Sequence, residues 1–283
     1  MNTQKTLDFF IECEDYTVSG EKFQLLYDKE YDMLVTSPKP NEKELGKYYE
    51  SEDYISHTDS KRSLFEKLYH LVKTYSLGKK VKLISKLNKQ QGFLLDIGAG
   101  TGDFLSVAKN SGWRIEGVEP NNQAKELAIQ KGIDLKSKTA DLDSKSFDVI
   151  TMWHVLEHVP DLKIQIKELK RLLKPNGFAI IAVPNFKSYD AKQYNSFWAA
   201  YDVPRHLWHF SKTAIQKLFE EENLKLEKTL PMKFDSFYVS LLSEKYKSGK
   251  MNFLNAFWIG LRSNLKAKRS GEYSSHIYIL KNG

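Results

Sequence analysis

The spacing of apolar residues changes along the chain, and each change predicts a different kind of element. In residues 1–60, Phe23-Gln24-Leu25 and Tyr31-Asp32-Met33-Leu34-Val35 alternate with the period of short strands, and Ser37-Pro38-Lys39-Pro40 ends the pattern. This part reads as a small β-rich appendage. From Lys61 the spacing turns helical, with Leu64, Phe65, Leu68, Leu71, Val72 and Tyr75. Val81, Leu83, Ile84 and Leu87 continue on a second helix, with Gly78 between the two.

Beyond Gly92 strands and helices alternate. Apolar runs at Phe93–Ile97, Ile115–Glu119, Phe147–Trp153 and Phe178–Val183 predict strands, the last following a turn at Lys174-Pro175-Asn176-Gly177. Phe104–Lys109, Asn121–Lys131 (closed by Gly132), Leu162–Leu173 and Ser211–Glu222 have helical spacing. Leu224–Leu230 and His276–Leu280 supply two further strands, with a helical insertion at 234–269 between them. Such alternation predicts an α/β fold, a mainly parallel sheet with helices on both faces.

Composition narrows the setting. No apolar run reaches the roughly 18 residues a membrane helix needs. Met1 to Asp15 carries four acidic residues and lacks the basic start and apolar stretch of a secretory leader. Cys13 is the only cysteine, which rules out an internal disulfide or a cysteine-built zinc cage. The cytoplasm is the expected compartment. The net charge of +7 comes mainly from scattered lysines and reads as a solvated surface.

The candidate chemistry begins at Asp96-Ile97-Gly98-Ala99-Gly100-Thr101-Gly102-Asp103. Glycines at a strand end allow a tight turn and close approach of a ligand to the backbone. A dinucleotide fingerprint would need glycine at 103, where Asp stands, and a pyrophosphate would meet both Asp96 and Asp103. S-adenosylmethionine has no phosphate and carries a sulfonium and an ammonium, which suit acidic neighbours. Glu119, at the end of the next strand, is placed to accept both hydroxyls of a ribose. Asp141 is a candidate acceptor for an adenine amino group.

From about Lys61 onward the chain resembles a class I S-adenosylmethionine-dependent methyltransferase, in the branch related to ubiquinone-type O-methyltransferases. The matching residues are Leu95-Asp96-Ile97-Gly98-Ala99-Gly100-Thr101-Gly102, Gly117-Val118-Glu119, Phe147-Asp148-Val149-Ile150, His154-Val155-Leu156-Glu157-His158-Val159-Pro160-Asp161 and Leu173-Lys174-Pro175-Asn176-Gly177. The resemblance implies a Rossmann-like sheet of seven strands over 61–283. It also implies a cofactor set of Asp96, Gly98, Ala99, Gly100, Gly102, Glu119, Pro120, Asp141, Leu142 and His154, with S-adenosylhomocysteine as product. Relatives with a similar tail carry a cysteine-paired, zinc-ribbon-like N-terminal module. Here only Cys13 remains, with Asp28 and Tyr31 where a second pair would stand, so no metal is expected in 1–60.

Two histidine constellations follow. His154, Glu157 and His158 have the spacing of one helical face, but their place directly after a strand argues against a zinc-protease motif. The resemblance puts them beside the transferred methyl. Some relatives hold a divalent metal here with acidic groups, and His154 replaces one of those acids; no metal is expected. The second constellation, Trp198 to Phe210, belongs to a lid at 186–210 over the carboxyl ends of the strands. Asp202 and Arg205 lie in it, Arg205 a candidate holder of a carboxylate or phosphate and otherwise an ordinary ion pair. His206 or His209 could take a proton, and His154 or His206 is the expected base; His158 fits a packing role as well.

Met251 to Arg269 combines apolar helical spacing with a basic end. It reads either as a core-packing helix or as a contact, through 250–269, with a membrane surface or an acidic partner. No basic stripe interleaved with aromatics predicts a nucleic-acid partner elsewhere. The expected function is methylation of a small-molecule acceptor, with oxygen favoured as the acceptor atom. The alternative from another class is a non-catalytic cofactor-binding or scaffold protein.

Overall fold

A computed structural model of the protein describes residues 7–41, 44, 46–49 and 64–283. The helix start expected at Lys61 and the boundary at 60 lie outside the described residues. The main sheet has six strands, in the order β5-β4-β6-β7-β10-β9. They are β4 (Phe93–Ile97), β5 (Arg114–Val118), β6 (Phe147–Trp153), β7 (Leu173–Pro184), β9 (Leu224–Pro231) and β10 (Ser275–Asn282). β5, β4, β6 and β7 are parallel, and β10 runs antiparallel between β7 and β9.

The expected seventh strand is reduced to a single parallel bridge, Val118 to Lys136. The Lys136 N–H donates to the Gly117 carbonyl and its carbonyl accepts from Glu119 N–H, both at 2.9 Å. Between Gly132 and the exposed Ser137 only Ile133 and Leu135 are buried, so the segment is too short to carry a ladder further.

Successive residues of the central strands serve opposite faces, so both must be apolar. Leu95, Ile150, Met152 and Ile181 pack against α4 (Leu162–Leu172) and α6 (Lys212–Glu220), through Ile166, Leu169, Ile215 and Leu218. Leu94, Val149 and Ile180 pack on the other side against α1 (Leu64–Asn88), α2 (Asp103–Asn110) and α3 (Asn122–Gln130), through Ile84, Leu105 and Ala128. This two-sided burial explains the unbroken apolar runs in the sequence.

Local chemistry sets the helix starts. Asn121, Asp161 and Ser211 each accept a backbone N–H three residues on, which satisfies a donor that the first turn leaves unpaired. Two expectations differ. The helices expected on either side of Gly78 are one helix, since a single internal glycine costs only about 1 kcal/mol and the neighbouring turns compensate. The turn at 174–177 lies inside β7 as an irregularity between the pairs Phe147–Leu173 and Val149–Phe178, with Asn176 at φ 64°.

A second sheet joins β1 (Leu7–Glu14), β2 (Lys22–Asp28) and β3 (Met33–Ser37) in antiparallel order. Its fourth strand, β8 (Trp208–His209), comes from the 186–210 segment and pairs with Leu34 and Val35. Phe23, Leu25 and Leu34 share a core with Phe186, Trp198 and Tyr201, and with Tyr194 of α5 (Tyr189–Tyr194). Cys13 lies in that core, where burial, and then Glu12, pushes its thiol up to about 12.

One ion-pair cluster ties these pieces together. Arg205 is 1% exposed. Its guanidinium donates to Asp202 at 2.6 Å, to Asp15 at 2.9 Å and to the Tyr48 carbonyl at 3.0 Å. Burial alone would raise the Asp15 carboxyl, but Arg205 and the Ser19 N–H hold it below its ordinary 3.8.

Between β9 and β10 stand α7 (Asp235–Ser248) and α8 (Phe253–Ser270). Helix α8 packs on α7 and α5 as the core-packing reading expects, with only part of its apolar residues. It buries Ala256, Ile259, Gly260, Ser263 and Ala267 while Leu254, Phe257 and Trp258 face solvent. No helix of the described residues is long and apolar enough to cross a membrane.

Replacing Arg205 by Ala leaves two carboxylates, Asp15 buried and Asp202 partly buried, without their cation. Chemical denaturation should show a loss of about 3–5 kcal/mol. The Asp15 contribution should be present above about pH 3.8 and lost as pH falls through the lower folded value. A variant with an unchanged midpoint would mean that the cluster does not brace the fold.

Candidate active site

The loops that follow β4, β5 and β6 converge at the carboxyl edge of the parallel strands, where open α/β sheets bind ligands. Gly98, at φ 72°, donates its N–H to the Val118 carbonyl at 2.8 Å. A Cβ there would lie 2.4 Å from the Val155 side chain, so the β4 and β6 loops can touch only because position 98 is glycine. Gly100 donates its N–H to Glu119 Oε2 and Asn121 donates to Oε1, both at 2.9 Å. The Glu119 carboxylate is thereby locked across the mouth of the glycine loop, 9% exposed.

Ala99 donates its N–H to the Val118 carbonyl, and Gly102, left-handed at φ 73°, caps α2. Pro120 is exposed beside Glu119. Asp141 is exposed on a short turn whose flanking carbonyls, Thr139 and Leu142, are held by Arg171, while the Leu142 side chain is buried. Asp103 differs from expectation. Lys73 at 2.7 Å and Lys131 at 2.8 Å neutralise it, and they hold its carboxyl low against the effect of burial. The case against a pyrophosphate therefore rests on the glycine spacing.

Asp96 is 3% exposed and accepts the Thr151 hydroxyl at 2.5 Å. Burial pushes its carboxyl up to about 7, against the pull of Thr151 and of the Lys80 ammonium. Lys80, on α1, lies over the Trp153 ring at 4.1 Å. Burial lowers its ammonium to about 8, with Asp96 and Asp235 opposing. Sequence reading did not single out Lys80 or Asp235, because each reaches the site from a helix remote in the chain.

His154 has φ 57°, a strained value for a side chain of this size. Its Nδ1 lies 3.4 Å from Glu157 and its Nε2 3.2 Å from Asp235. Burial would lower its pKa, but Asp235 and Glu157 raise it to about 10. Both ring nitrogens face carboxylates, an arrangement that favours the imidazolium and argues against the role of base expected for it.

Glu157 is fully buried, and among the described residues neither oxygen has a hydrogen-bond partner. Burial would raise its carboxyl, but the His154 ring holds it below the ordinary value. Glu157, His158 and His206 each offer one ligand atom within 4.8 Å of the others. His158 Nδ1 lies 3.1 Å from the Arg205 carbonyl and His206 Nδ1 lies 2.9 Å from the Ala200 carbonyl. A carbonyl only accepts, so each Nδ1 carries a proton. Burial and His206 bring His158 down to about 4, so it stays neutral.

Asp202, left-handed at φ 36°, and Arg205 are engaged with each other. Arg205, enclosed and with its donors assigned, is a brace and not a receiver for a substrate anion. His209 contacts Thr36 Oγ1 at 3.1 Å and burial keeps it neutral, so it too is structural.

A doubly wound sheet with this loop geometry defines the class I methyltransferase fold. The chain matches the methyltransferase-domain family over residues 66–229, more than half its length, and it belongs to that family. Ubiquinone biosynthesis O-methyltransferase of Haemophilus ducreyi is 32% identical over 106 residues, 32% of this chain and 45% of that protein. Demethylmenaquinone methyltransferase of Lactobacillus johnsonii is 35% identical over 115 residues, 35% of this chain and 47% of that protein. The chain thus spans about half the length of the curated relatives it matches. Among solved structures, geranyl diphosphate C-methyltransferase of Streptomyces coelicolor superimposes with a TM-score of 0.53 at 16% identity, covering 81% of this chain and 88% of that one. That likeness is one of fold.

The His154 clamp has a measurable signature. Because its folded pKa is raised, the clamp contributes stability in full below about 6.5 and loses it as pH rises through about 10. Imidazole NMR signals of His154 should stay in the protonated position across neutral pH. Titration near 6.5 would mean that Asp235 and Glu157 do not hold it.

Proposed function

We propose that this protein is an S-adenosylmethionine-dependent methyltransferase acting on a small-molecule acceptor, with oxygen as the favoured acceptor atom. The observation that carries the reading is the Glu119 carboxylate, immobilised by two backbone N–H groups beside the glycine loop. A carboxylate so fixed retains lone pairs for a vicinal diol. The amino-acid end of the cofactor presents an ammonium beside a carboxylate, and Asp96 with Lys80 offers the opposite pair. Asp141 and Leu142 would border the adenine. The curated relatives are named for O-methylation in ubiquinone biosynthesis and for demethylmenaquinone methylation, which favours an acceptor of related kind. We place the activity in the cytoplasm, which the single cysteine suits.

When bound, S-adenosylmethionine supplies an electrophilic methyl on sulfur. The chain's own contribution is alignment and proton removal. His206 Nε2 is the base this geometry favours, because Nδ1 is committed to Ala200. His158 is the second candidate, and the His154 imidazolium would balance negative charge. Glu157, His158 and His206 also fit a divalent cation, one carboxylate with two imidazole nitrogens, which would polarise an acceptor hydroxyl.

Glu119→Ala should weaken S-adenosylhomocysteine binding about ten- to a hundredfold, since hydrogen bonds to a charged group are worth roughly 1.5–3 kcal/mol each. Calorimetric titration, with NAD as control, checks it; an unchanged Kd in a folded variant refutes the ribose role. In a radiolabelled-methyl assay over phenolic acceptors, His206→Gln should lose about 10²–10⁴-fold in kcat with cofactor binding intact. Turnover abolished by chelation and restored by a divalent ion would assign the cluster to a metal. Cofactor binding without turnover of any acceptor would favour the scaffold alternative.

A further inference from the structure

The helix pair between β9 and β10 is built inside out. The face that α8 buries against α7 and α5 carries small residues, Ala256, Gly260, Ser263 and Ala267 among them. The fit is close, since a Cβ on Gly260 would come within 2.8 Å of the Phe237 ring. The opposite face turns out Leu254 at 78% exposure, Trp258 at 55%, Phe257 at 53% and Leu265 at 50%. Phe237 stacks on Phe257 at 5.6 Å, and exposed Phe234 meets the exposed Tyr75 of α1 edge-on at 6.0 Å. The apolar surface therefore reaches Asp235, the residue that holds His154 at the site.

Charge along α8 and the turn before it has one sign. From Lys245 to Gly271 there is no acidic residue, while Lys247 and Lys250 flank the start of α8 and Arg262, Lys268 and Arg269 stand along its end, all exposed. A monomer in water has no reason to expose large apolar side chains in a row. A second copy of the same face would bring cations against cations. Nucleic acid would answer the charge and leave Leu254 and Leu265 without a partner.

We propose that this face docks on the surface of an anionic lipid membrane. Helix α8 lies in the interfacial plane, with Leu254, Phe257 and Leu265 at the acyl boundary and Trp258 at headgroup depth. Arg262, Lys268 and Arg269 reach lipid phosphates. The inference stands apart from the assignment of cofactor and acceptor, and vesicle binding reads neither.

The full-length chain is co-sedimented with vesicles of phosphatidylcholine alone and of equal parts phosphatidylcholine and phosphatidylglycerol, at low and raised salt. The expected result is binding to the mixed vesicles that weakens with salt, with a blue shift in tryptophan emission. Paired Leu254→Ser and Trp258→Ser should cut that affinity about tenfold or more. Paired Arg262→Glu and Arg269→Glu should do so by a similar factor. Both variants change exposed side chains, and unaltered circular dichroism and thermal unfolding show that they fold. Absence of vesicle binding by the folded wild-type chain overturns the proposal. So does vesicle binding that both variants retain, or self-association lost with Trp258→Ser while vesicles are ignored.

Discussion

A guanidinium shut away from water must be answered by carboxylates in place, and Arg205 is answered from two distant parts of the chain. Asp15 comes from the loop after β1, and Asp202 from the segment that follows α5. The same arginine turns its carbonyl to His158, so the brace of the fold also sets a tautomer in the site. Through this cluster the N-terminal sheet, the 186–210 segment and the histidine cluster form one unit. Its geometry fixes which nitrogen of His158 is open to chemistry.

The glycine loop follows a parallel logic with the backbone as the active party. Gly98 and Gly100 adopt left-handed conformations that present amide groups to Val118 and Glu119. The acid is therefore held by peptide groups, whose positions the strands dictate. That is why a short motif at the end of β4 and a lone glutamate at the end of β5 act as one feature. Asp96 behind them is a different kind of acid, kept near neutrality by burial and answered by a lysine from α1.

Much of this was legible in the sequence wherever a feature was local. Apolar runs marked strands buried on both faces, and Asn121, Asp161 and Ser211 marked helix starts by their side-chain chemistry. The glycine loop and Glu119 were legible because their spacing spans one strand-loop-strand unit. What escaped depends on partners far along the chain. β8 is two residues long and has no period to detect. Nothing near His154 signals that Asp235 will reach it, so its charge state could not be read. Arg205 looked available for a substrate because Asp15, 190 residues away, bore no mark of being its partner. The seventh strand failed for want of length, and Gly78 for want of any local sign that the helix would carry through it.

The pairing of β8 with β3 has a consequence for traffic. Leu34 and Val35 are zipped to His209 and Trp208, while the Thr36 hydroxyl donates to the His206 carbonyl and its N–H donates to the Leu207 carbonyl. Swinging the 186–210 segment outward would tear that ladder and strip Arg205 of its anions together. The segment is consequently a wall and not a door.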